Sequence, residues 1–224
     1  MTAALAQIER FVDEGGPHLV ATVNPEFVMQ AQKDREFARV LQDADLCLPD
    51  GVGVVWAARR QGCDMRGPVA GVDLVQPLAA MCARRGRRLF LLGAAPGVAA
   101  DLAARLREAN EGLEVNAHSG APDPAHDLET LHRIHDHHPD VLLVAYGAPA
   151  QEMWIDRLKD RLGVSVAIGV GGAFDYLTGR VPRAPAWMRR ARLEWLGRLL
   201  RQPWRVRRMA VLPVYAVKVL RAPK

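Results

Sequence analysis

Cysteine is scarce in this chain of 224 residues, which contains only Cys47, Cys63 and Cys82. The number is odd and the three are widely spaced, so we expect no disulfide framework and a reducing compartment, the cytoplasm. Long apolar runs are missing too, since no stretch approaches the length of about 20 residues that spans a bilayer. The opening segment, MTAALAQIERFVDEGG, carries acids and has no apolar core, which argues against a signal peptide.

Two nucleotide-binding motifs are also absent. The sequence has no GK[ST] tripeptide, and no GxGxxG follows its first strand-like segment. These absences exclude ATP hydrolysis of the P-loop type and disfavour a Rossmann-type nucleotide-dependent oxidoreductase, which stays the alternative enzyme class. The glycine-rich turn LLGAAPGVA has neither spacing, although the N–H groups of such a turn suit a phosphate. We therefore expect a nucleotide diphosphate bound in another geometry.

Acidic residues almost vanish towards the C-terminus. Residues 180–224 contain 13 Lys and Arg against a single acid, Glu194, whereas the rest of the chain is net acidic. This excess predicts a polyanionic partner, either a diphosphate or anionic lipid headgroups, while no motif indicates nucleic acid. Aromatic residues are interspersed, as in amphipathic helices at membrane surfaces: Trp187, Trp195, Trp204 and Tyr215. The alternative is a pair of helices packed on the main domain, with solvated arginines.

The rest of the chain alternates between strand-like and helical segments. Several short segments are nearly continuous apolar runs, which are typical of parallel strands covered on both faces. The predicted strands are 18–24, 44–50, 87–93, 113–119, 140–147 and 164–172, and one of the helical stretches between them covers 25–44. The alternation predicts an α/β fold with a Rossmann-like, doubly wound, mostly parallel sheet. We expect residues 1–179 to form this catalytic domain and 180–224 a basic helical appendage.

Distinctive residues follow nearly every predicted strand. In an open parallel sheet, ligands bind beyond the carboxyl ends of the strands. The residues at these ends are Thr22 and Asn24, then Asp50 and Gly51, Gly93 and Gly97, Gly147 with Gln151 and Glu152, and finally Gly169, Gly171, Gly172 and Asp175. Each one alone has a plain structural explanation, such as a helix cap or a tight turn. Five such ends on one edge together predict a binding site.

Asp50 is the candidate for acid–base chemistry. It stands between the apolar stretch ADLCLP and the helix-like segment GVGVVWAARR. A carboxylate at a strand exit suits a general base, and it also suits the N-cap of the helix that follows. Both interpretations stay open from the residues alone.

Several motifs, taken together, resemble the WecG/TagA/CpsF family of bacterial glycosyltransferases: TVNPEF, DLCLPDGVGVV, FLLGAAPGV, PDVLLVAYGAPAQEMWI, IGVGGAFDYLTGRVPRAPAWM and LEWLGRLLRQPWRVRR. The resemblance implies an inverting transferase with no required metal or other cofactor. It implies transfer of a hexose or N-acetylhexosamine-type sugar from a UDP-sugar. The implied acceptor is a polyprenyl-diphosphate-linked saccharide at the inner face of the cytoplasmic membrane, in cell-surface polysaccharide synthesis. Self-association into a homo-oligomer also occurs in the family.

The resemblance also implies roles for individual residues. Asp50 matches the aspartate proposed as the base, and Thr22 and Asn24 match a Thr-x-Asn motif that orients the sugar or the acceptor. Gln151 matches a glutamine expected to contact the donor, although Ala150 stands where lysine is common. The other expected donor-binding residues are Gly51, Gly93, Gly97, Gly147, Gly171, Gly172 and Asp175. The arginines expected at the acceptor diphosphate are Arg183, Arg198, Arg205 and Arg208.

Two further clusters receive plainer interpretations. His132, His135, His137 and His138 are interpreted as a solvated helix end rather than a metal site, because they precede a strand on the side away from the predicted site. Asp43 and Asp45 are expected in a surface loop. A third function class, a non-catalytic peripheral membrane protein on a nucleotide-binding fold, also remains open.

Overall fold

Six parallel strands form one sheet in the order β2-β1-β6-β5-β3-β4. A computed structural model describes residues 1–182, 185, 188 and 210–222. The strands are β1 (His18–Val23), β2 (Leu46–Pro49), β3 (Leu89–Gly93), β4 (Val115–His118), β5 (Val141–Ala145) and β6 (Val166–Gly169). Each lies within a segment predicted as a strand, and every strand pairing is parallel. The predicted α/β fold with a Rossmann-like sheet is confirmed.

Helices connect these strands and cover both faces of the sheet. They are α1 (Thr2–Glu14), α2 (Pro25–Ala31), α3 (Arg35–Gln42), α4 (Val52–Arg60), α5 (Gly71–Arg85), α6 (Val98–Ala109), α7 (Asp127–His137), α8 (Ala150–Leu158), α9 (Ala173–Leu177) and α10 (Val211–Arg221). Short 3-10 helices cover Pro124–His126 and Lys159–Arg161. The single helical stretch predicted over 25–44 is wrong, because α2 ends at Ala31 and Asp34 caps a new helix, accepting hydrogen bonds from Glu36 N and Phe37 N.

The hydrophobic core has two layers, one on each face of the sheet. Strand side chains alternate between them, so that Leu89 and Leu91 of β3 face one layer while Phe90 and Leu92 face the other. Helices α1, α5, α6 and α9 contribute to the first layer, and α3, α7 and α8 to the second. Because both faces are covered, the central strands consist almost wholly of buried apolar residues, each worth about 1.5–3 kcal/mol.

The chain connections diverge at the centre of the carboxyl edge of the sheet, which we call the rim. The chain leaving β6 passes to α9 in the first layer, whereas the chains leaving β1 and β5, on either side, lead to helices of the second layer. Connections that diverge in this way open a space between them, where ligands of doubly wound folds bind. The topology therefore predicts a binding crevice beside β6.

Helix α10 packs against α2 and α4 near the β1–β2 end of the sheet. The Tyr215 side chain is buried there, and its hydroxyl donates to the Gly53 carbonyl at 3.2 Å. Arg60 of α4 donates to the carbonyls of Val219 and Leu220, which lie in the last turn of α10. Side-chain donors of this kind satisfy carbonyls that a helix end leaves without partners. No helix in the described part of the chain is long and apolar enough to cross a membrane.

Candidate active site

Thr22, Asn24 and Asp50 come together where β1 and β2 end. The two strands run in parallel with Val23 opposite Pro49, and the Asp50 N–H donates to the Val23 carbonyl at 2.7 Å. The predicted base and the two predicted orienting side chains therefore occupy one corner of the rim.

Asn24 and Thr22 also have structural partners. The Asn24 side chain is the N-cap of α2 and accepts hydrogen bonds from Glu26 N at 2.9 Å and Phe27 N at 3.2 Å. The buried Thr22 hydroxyl donates to the Gly169 carbonyl at 2.8 Å, which ties β1 to the end of β6. These bonds hold the backbone of the corner in place, so the geometry there is fixed before any ligand binds.

The helix behind Asp50 is capped by a different residue. Gly51 is the N-cap of α4, with φ at 97°, and this helix start has no side-chain cap. Because a positive φ favours glycine, Gly51 provides the sharp change of direction between β2 and α4. Asp50 lies one position earlier and is half-buried at the rim. The interpretation of Asp50 as the N-cap residue is wrong, and the prediction of a base stays a prediction.

Gln151 joins the turns that follow β5 and β6. Its side-chain oxygen accepts hydrogen bonds from the N–H groups of Gly147 at 3.1 Å and Gly171 at 3.0 Å. Its amide nitrogen donates to Glu152 Oε1 at 2.6 Å, and the residue is only 1% exposed. The side chain therefore fixes two turns beside the crevice, and its predicted direct contact with the donor stays a prediction.

Glu152 is a fully buried acid directly beneath the rim. Among the described residues, its Oε2 atom has no hydrogen-bond partner, and no arginine or lysine forms an ion pair with it. Burial raises the pKa of Glu152 to about 7, against the smaller opposing effect of the Gln151 hydrogen bond. Burial disfavours the charged form, so this carboxyl group keeps its proton at pH values well above those at which a glutamate usually loses it.

The turn after β3 brings a positive charge to the start of α6. Gly93 has φ at 103°, and a Cβ there would lie 2.8 Å from the backbone carbon of Ala145. Gly97 is the N-cap of α6. The Arg180 Nη2 atom lies 3.5 Å from where a Cβ of Gly97 would stand, and it pairs with Asp101 at 3.2 Å. The N-terminus of α6 and the guanidinium group of Arg180 together favour the binding of an anion at this turn.

Gly172 and Asp175 lie at the short helix after β6. Gly172 is the N-cap of α9, and Asp175 is half-buried in its first turn. The Asp175 carbonyl accepts hydrogen bonds from Val181 N at 3.0 Å and from the Thr178 hydroxyl at 3.3 Å. The backbone of Asp175 thus positions the chain where the basic appendage begins. A contact of its side chain with uridine stays a prediction.

Three residues at the rim were given no individual role from the sequence. Gly71, the first residue of α5, approaches so closely that a Cβ would lie 3.2 Å from Val170 Cα and 3.4 Å from Thr22 Oγ1. Glu152 carried a signal, since it follows a strand end and directly precedes the apolar residues Met153, Trp154 and Ile155 of α8. Arg180 is the first of the basic residues that follow the last strand. Gly71 carried no signal, because its neighbours come from β1 and β6.

Other sequence predictions fall at the opposite edge or outside the described residues. His135 and His137 donate to the carbonyls of Arg161 and Leu89, as suits a structural helix end. Asp43 and Asp45 lie in the predicted exposed loop before β2. No group of three or more candidate metal ligands occurs in the ranges that the structure describes. The predicted diphosphate-binding arginines and three of the tail aromatics lie outside those ranges: Arg183, Arg198, Arg205, Arg208, Trp187, Trp195 and Trp204.

Comparisons with known proteins agree with the sequence resemblance. The pattern of the glycosyl transferase WecG/TagA/CpsF family matches residues 1–224. An N-acetylglucosaminyldiphosphoundecaprenol N-acetyl-beta-D-mannosaminyltransferase of Bacillus subtilis (strain 168) is 33% identical over 225 residues, which cover 100% of this chain and 88% of the relative. The enzyme of the same name from Bacillus spizizenii is 34% identical over 222 residues, covering 99% and 86%. The chain therefore belongs to the WecG/TagA/CpsF family and is a glycosyltransferase.

Proposed function

We propose that this enzyme moves a sugar from a UDP-sugar to a polyprenyl-diphosphate-linked saccharide, with inversion at the anomeric carbon and without a metal. The observation that carries the proposal is the corner where Asp50, Thr22 and Asn24 meet beside the crevice. An inverting transfer requires one base at the acceptor hydroxyl and stabilisation of the departing diphosphate. Both requirements have candidates at the rim.

Asp50 is the proposed base. Its carboxylate takes the proton of the acceptor hydroxyl while that oxygen bonds to the anomeric carbon, and the bond from this carbon to UDP breaks. UDP leaves with the electron pair of the broken bond. Since the adjacent Asn24 and Thr22 are fixed by the start of α2 and by β6, the base works in a preorganised corner.

Protein groups at the rim suit the negative charge that develops on UDP. Helices α5 and α6 begin there, and helix N-termini carry partial positive charge and N–H donors. Arg180 adds a full charge near Gly97. We assign Gly93, Gly97, Gly147, Gly171 and Gly172 to the backbone cradle of the donor, with Arg183, Arg198, Arg205 and Arg208 at the acceptor diphosphate.

The two relatives suggest the sugar and the acceptor. Their names describe transfer of an N-acetyl-β-D-mannosaminyl group to N-acetylglucosaminyl-diphosphoundecaprenol. We propose an N-acetylhexosamine as the donor sugar of this enzyme, with N-acetylmannosamine as the first choice, and the same class of lipid-linked acceptor.

The decisive experiment measures transfer by an Asp50→Asn variant. Purified enzyme is given UDP-N-acetylmannosamine and a short-chain prenyl-diphosphate N-acetylglucosamine, and both UDP release and the disaccharide product are followed. We expect Asp50→Asn to lower kcat by a factor of about 10²–10⁴, because the amide cannot accept the proton. UDP binding, measured by calorimetry, should be retained.

Asp43→Asn is the matched control, because Asp43 lies near the other end of β2 and its ion pair in the described part of the chain is with the exposed Arg39. It should transfer at the wild-type rate. An Asp50→Asn enzyme with wild-type turnover would remove the assigned base. Loss of wild-type turnover in chelator would contradict the metal-free mechanism.

We further propose that residues 180–224 form an appendage that holds the enzyme on the inner face of the cytoplasmic membrane, as a peripheral protein. Tyr215 does not lie at the headgroups as expected, because its side chain is buried and its hydroxyl donates to the Gly53 carbonyl. The opposite side of α10 exposes Val214, Val217 and Leu220. A site at a membrane surface suits an acceptor that is anchored there by its lipid.

A further inference from the structure

Gln151 and Glu152 form a buried polar unit between two turns of the rim. The Gln151 oxygen holds Gly147 N–H and Gly171 N–H, so both of its lone pairs are engaged by the backbone. Its nitrogen donates to Glu152 Oε1. One amide plane thus connects the turn after β5, the turn after β6 and a carboxyl group.

Glu152 supplies the acceptor for the donor end of this amide, and the two glycine N–H groups occupy its acceptor end. An amide presents an acceptor at one end and two donors at the other, and rotation by 180° exchanges the ends. The two glycine N–H groups need the oxygen, and an acceptor at Glu152 Oε1 needs the nitrogen. With the acceptor removed, nothing else in the described surroundings of Gln151 bonds to its nitrogen.

The fold makes room for this carboxyl group where a side chain would otherwise stand. Gly169 lies at the end of β6, and a Cβ there would collide with Glu152 Oε1 and lie 2.6 Å from Gln151 Nε2. Its partner on β1 is Ala21, another small residue. Burial of an acid whose Oε2 has no partner among the described residues costs stability, so packing alone does not account for an acid at this place.

We propose that Glu152 is a positioning residue of the donor site: its Oε1 atom accepts from the Gln151 amide and so holds that amide in the orientation that fixes the Gly147 and Gly171 turns. Because Oε1 accepts from Gln151 Nε2, Oε2 is the oxygen of this carboxyl group that is left to carry a proton. Glu152 itself touches no reacting atom. The assignment to the donor site rests on the proposed function, whereas the effect on the two turns does not.

The test compares Glu152→Gln with Glu152→Leu in the full chain. Glutamine keeps a neutral acceptor of the same length, and leucine removes the acceptor while filling the space. In ¹⁵N-glycine-labelled protein, we expect the amides of Gly147 and Gly171 to exchange about tenfold faster in Glu152→Leu and at the wild-type rate in Glu152→Gln. The KM for the UDP-sugar should rise about tenfold in Glu152→Leu, with kcat within about twofold, since one buried hydrogen bond is worth about that factor.

Asp127→Asn is the matched control. Asp127 is also a buried acid that contacts α8, through Trp154 and Arg157, but it does not contact Gln151. General loosening of α8 would affect this control as well. Should Glu152→Leu fail to fold, Glu152→Asp replaces it, because its shortened carboxyl group cannot reach Gln151 and the same losses are expected.

The outcomes separate the two proposals. Unchanged glycine exchange and unchanged KM in Glu152→Leu or Glu152→Asp would overturn the positioning role. The role would also be overturned if Glu152→Gln showed the same faster exchange and higher KM as Glu152→Leu. Faster glycine exchange in a protein whose wild type binds no UDP-sugar would overturn the proposed function while keeping the role of Glu152 in the two turns.

Discussion

The absence of a side chain at Gly169 leaves room beneath the rim for two side chains of α8. The φ of Gly169 is not in the left-handed region, so the need for glycine comes from space and not from backbone conformation. Any Cβ would meet the Gln151 amide and the Glu152 carboxyl group. Gly169, which has no side chain, therefore leaves the space at the end of β6 that the buried side chains of Gln151 and Glu152 occupy.

We expect Gly169→Ala to lower the free energy of unfolding by about 1–3 kcal/mol, because overpacking forces buried groups to shift. Gly172→Ala is the control, since a Cβ at Gly172 has nothing within 4 Å and its φ is ordinary. Urea denaturation followed by circular dichroism measures both. Equal stability of the two variants would show that the space around Gly169 is larger than described.

The buried Glu152 carboxyl group makes stability depend on pH. Burial raises its pKa to about 7 in the folded protein, while an unfolded glutamate has a pKa of about 4.3. Between these values the folded state holds a proton that the unfolded state has lost, so stability falls as pH rises through this window. The titratable neighbour is Cys47 on β2, whose thiol pKa is raised by desolvation and by the Glu152 charge.

Glu152→Gln removes this dependence. Relative to wild type, the variant should gain about 3 kcal/mol of unfolding free energy between pH 4.5 and pH 8, because each pKa unit corresponds to about 1.4 kcal/mol. Urea denaturation at several pH values measures the difference, and all other titrating groups are common to both proteins. A difference that is constant across this range would contradict a raised pKa.

At the level of helices, two caps control how the chain leaves β1. Asn24 caps α2 and Asp34 caps α3, each accepting from two backbone N–H groups. The sequence pattern predicted the cap at Asn24 but merged the two helices, since Arg35 to Gln42 continues the apolar periodicity. The Asp34 side chain competes with helix continuation by bonding the next turn itself.

These caps separate structural from functional roles. Asn24→Ala and Asp34→Ala should each cost about 1 kcal/mol of stability, because each loses equivalent cap bonds. Only Asn24→Ala should also lower transfer, by more than tenfold, because Asn24 stands beside Asp50. Thermal unfolding and the transfer assay report the two effects. If Asn24→Ser, which keeps a cap, transfers at the wild-type rate, then Asn24 acts through the cap alone.

For the whole molecule, α10 has one face on α2 and α4 and one face in solvent. Tyr215 and Val219 are buried against α2 and α4, while Val214, Val217 and Leu220 are 48%, 45% and 56% exposed. Trp56 of the adjoining helix α4 is also exposed. An apolar face beside a basic segment is the arrangement of an interfacial helix.

Val217→Glu combined with Leu220→Glu should reduce binding to phosphatidylglycerol-containing vesicles more than tenfold, because two apolar side chains no longer enter the interface and two negative charges are added. Cosedimentation measures binding. Leu128→Glu is the control, since Leu128 is 64% exposed on α7, away from α10. Equal vesicle binding by wild type and the double variant would exclude α10 as the attachment face.

The sequence alone determined the parallel strands, the edge at which they end and the family, because apolar runs, strand-exit motifs and charge excess are local properties of the chain. The tertiary structure decided which of these residues act on each other. Gln151 meets Gly171 across 20 positions and Thr22 meets Gly169 across 147. The burial of Glu152, the tight approach of Gly71 and the buried side of Tyr215 likewise arise from packing between distant segments. Such partners are set by strand order and by the space between layers, which no local pattern encodes.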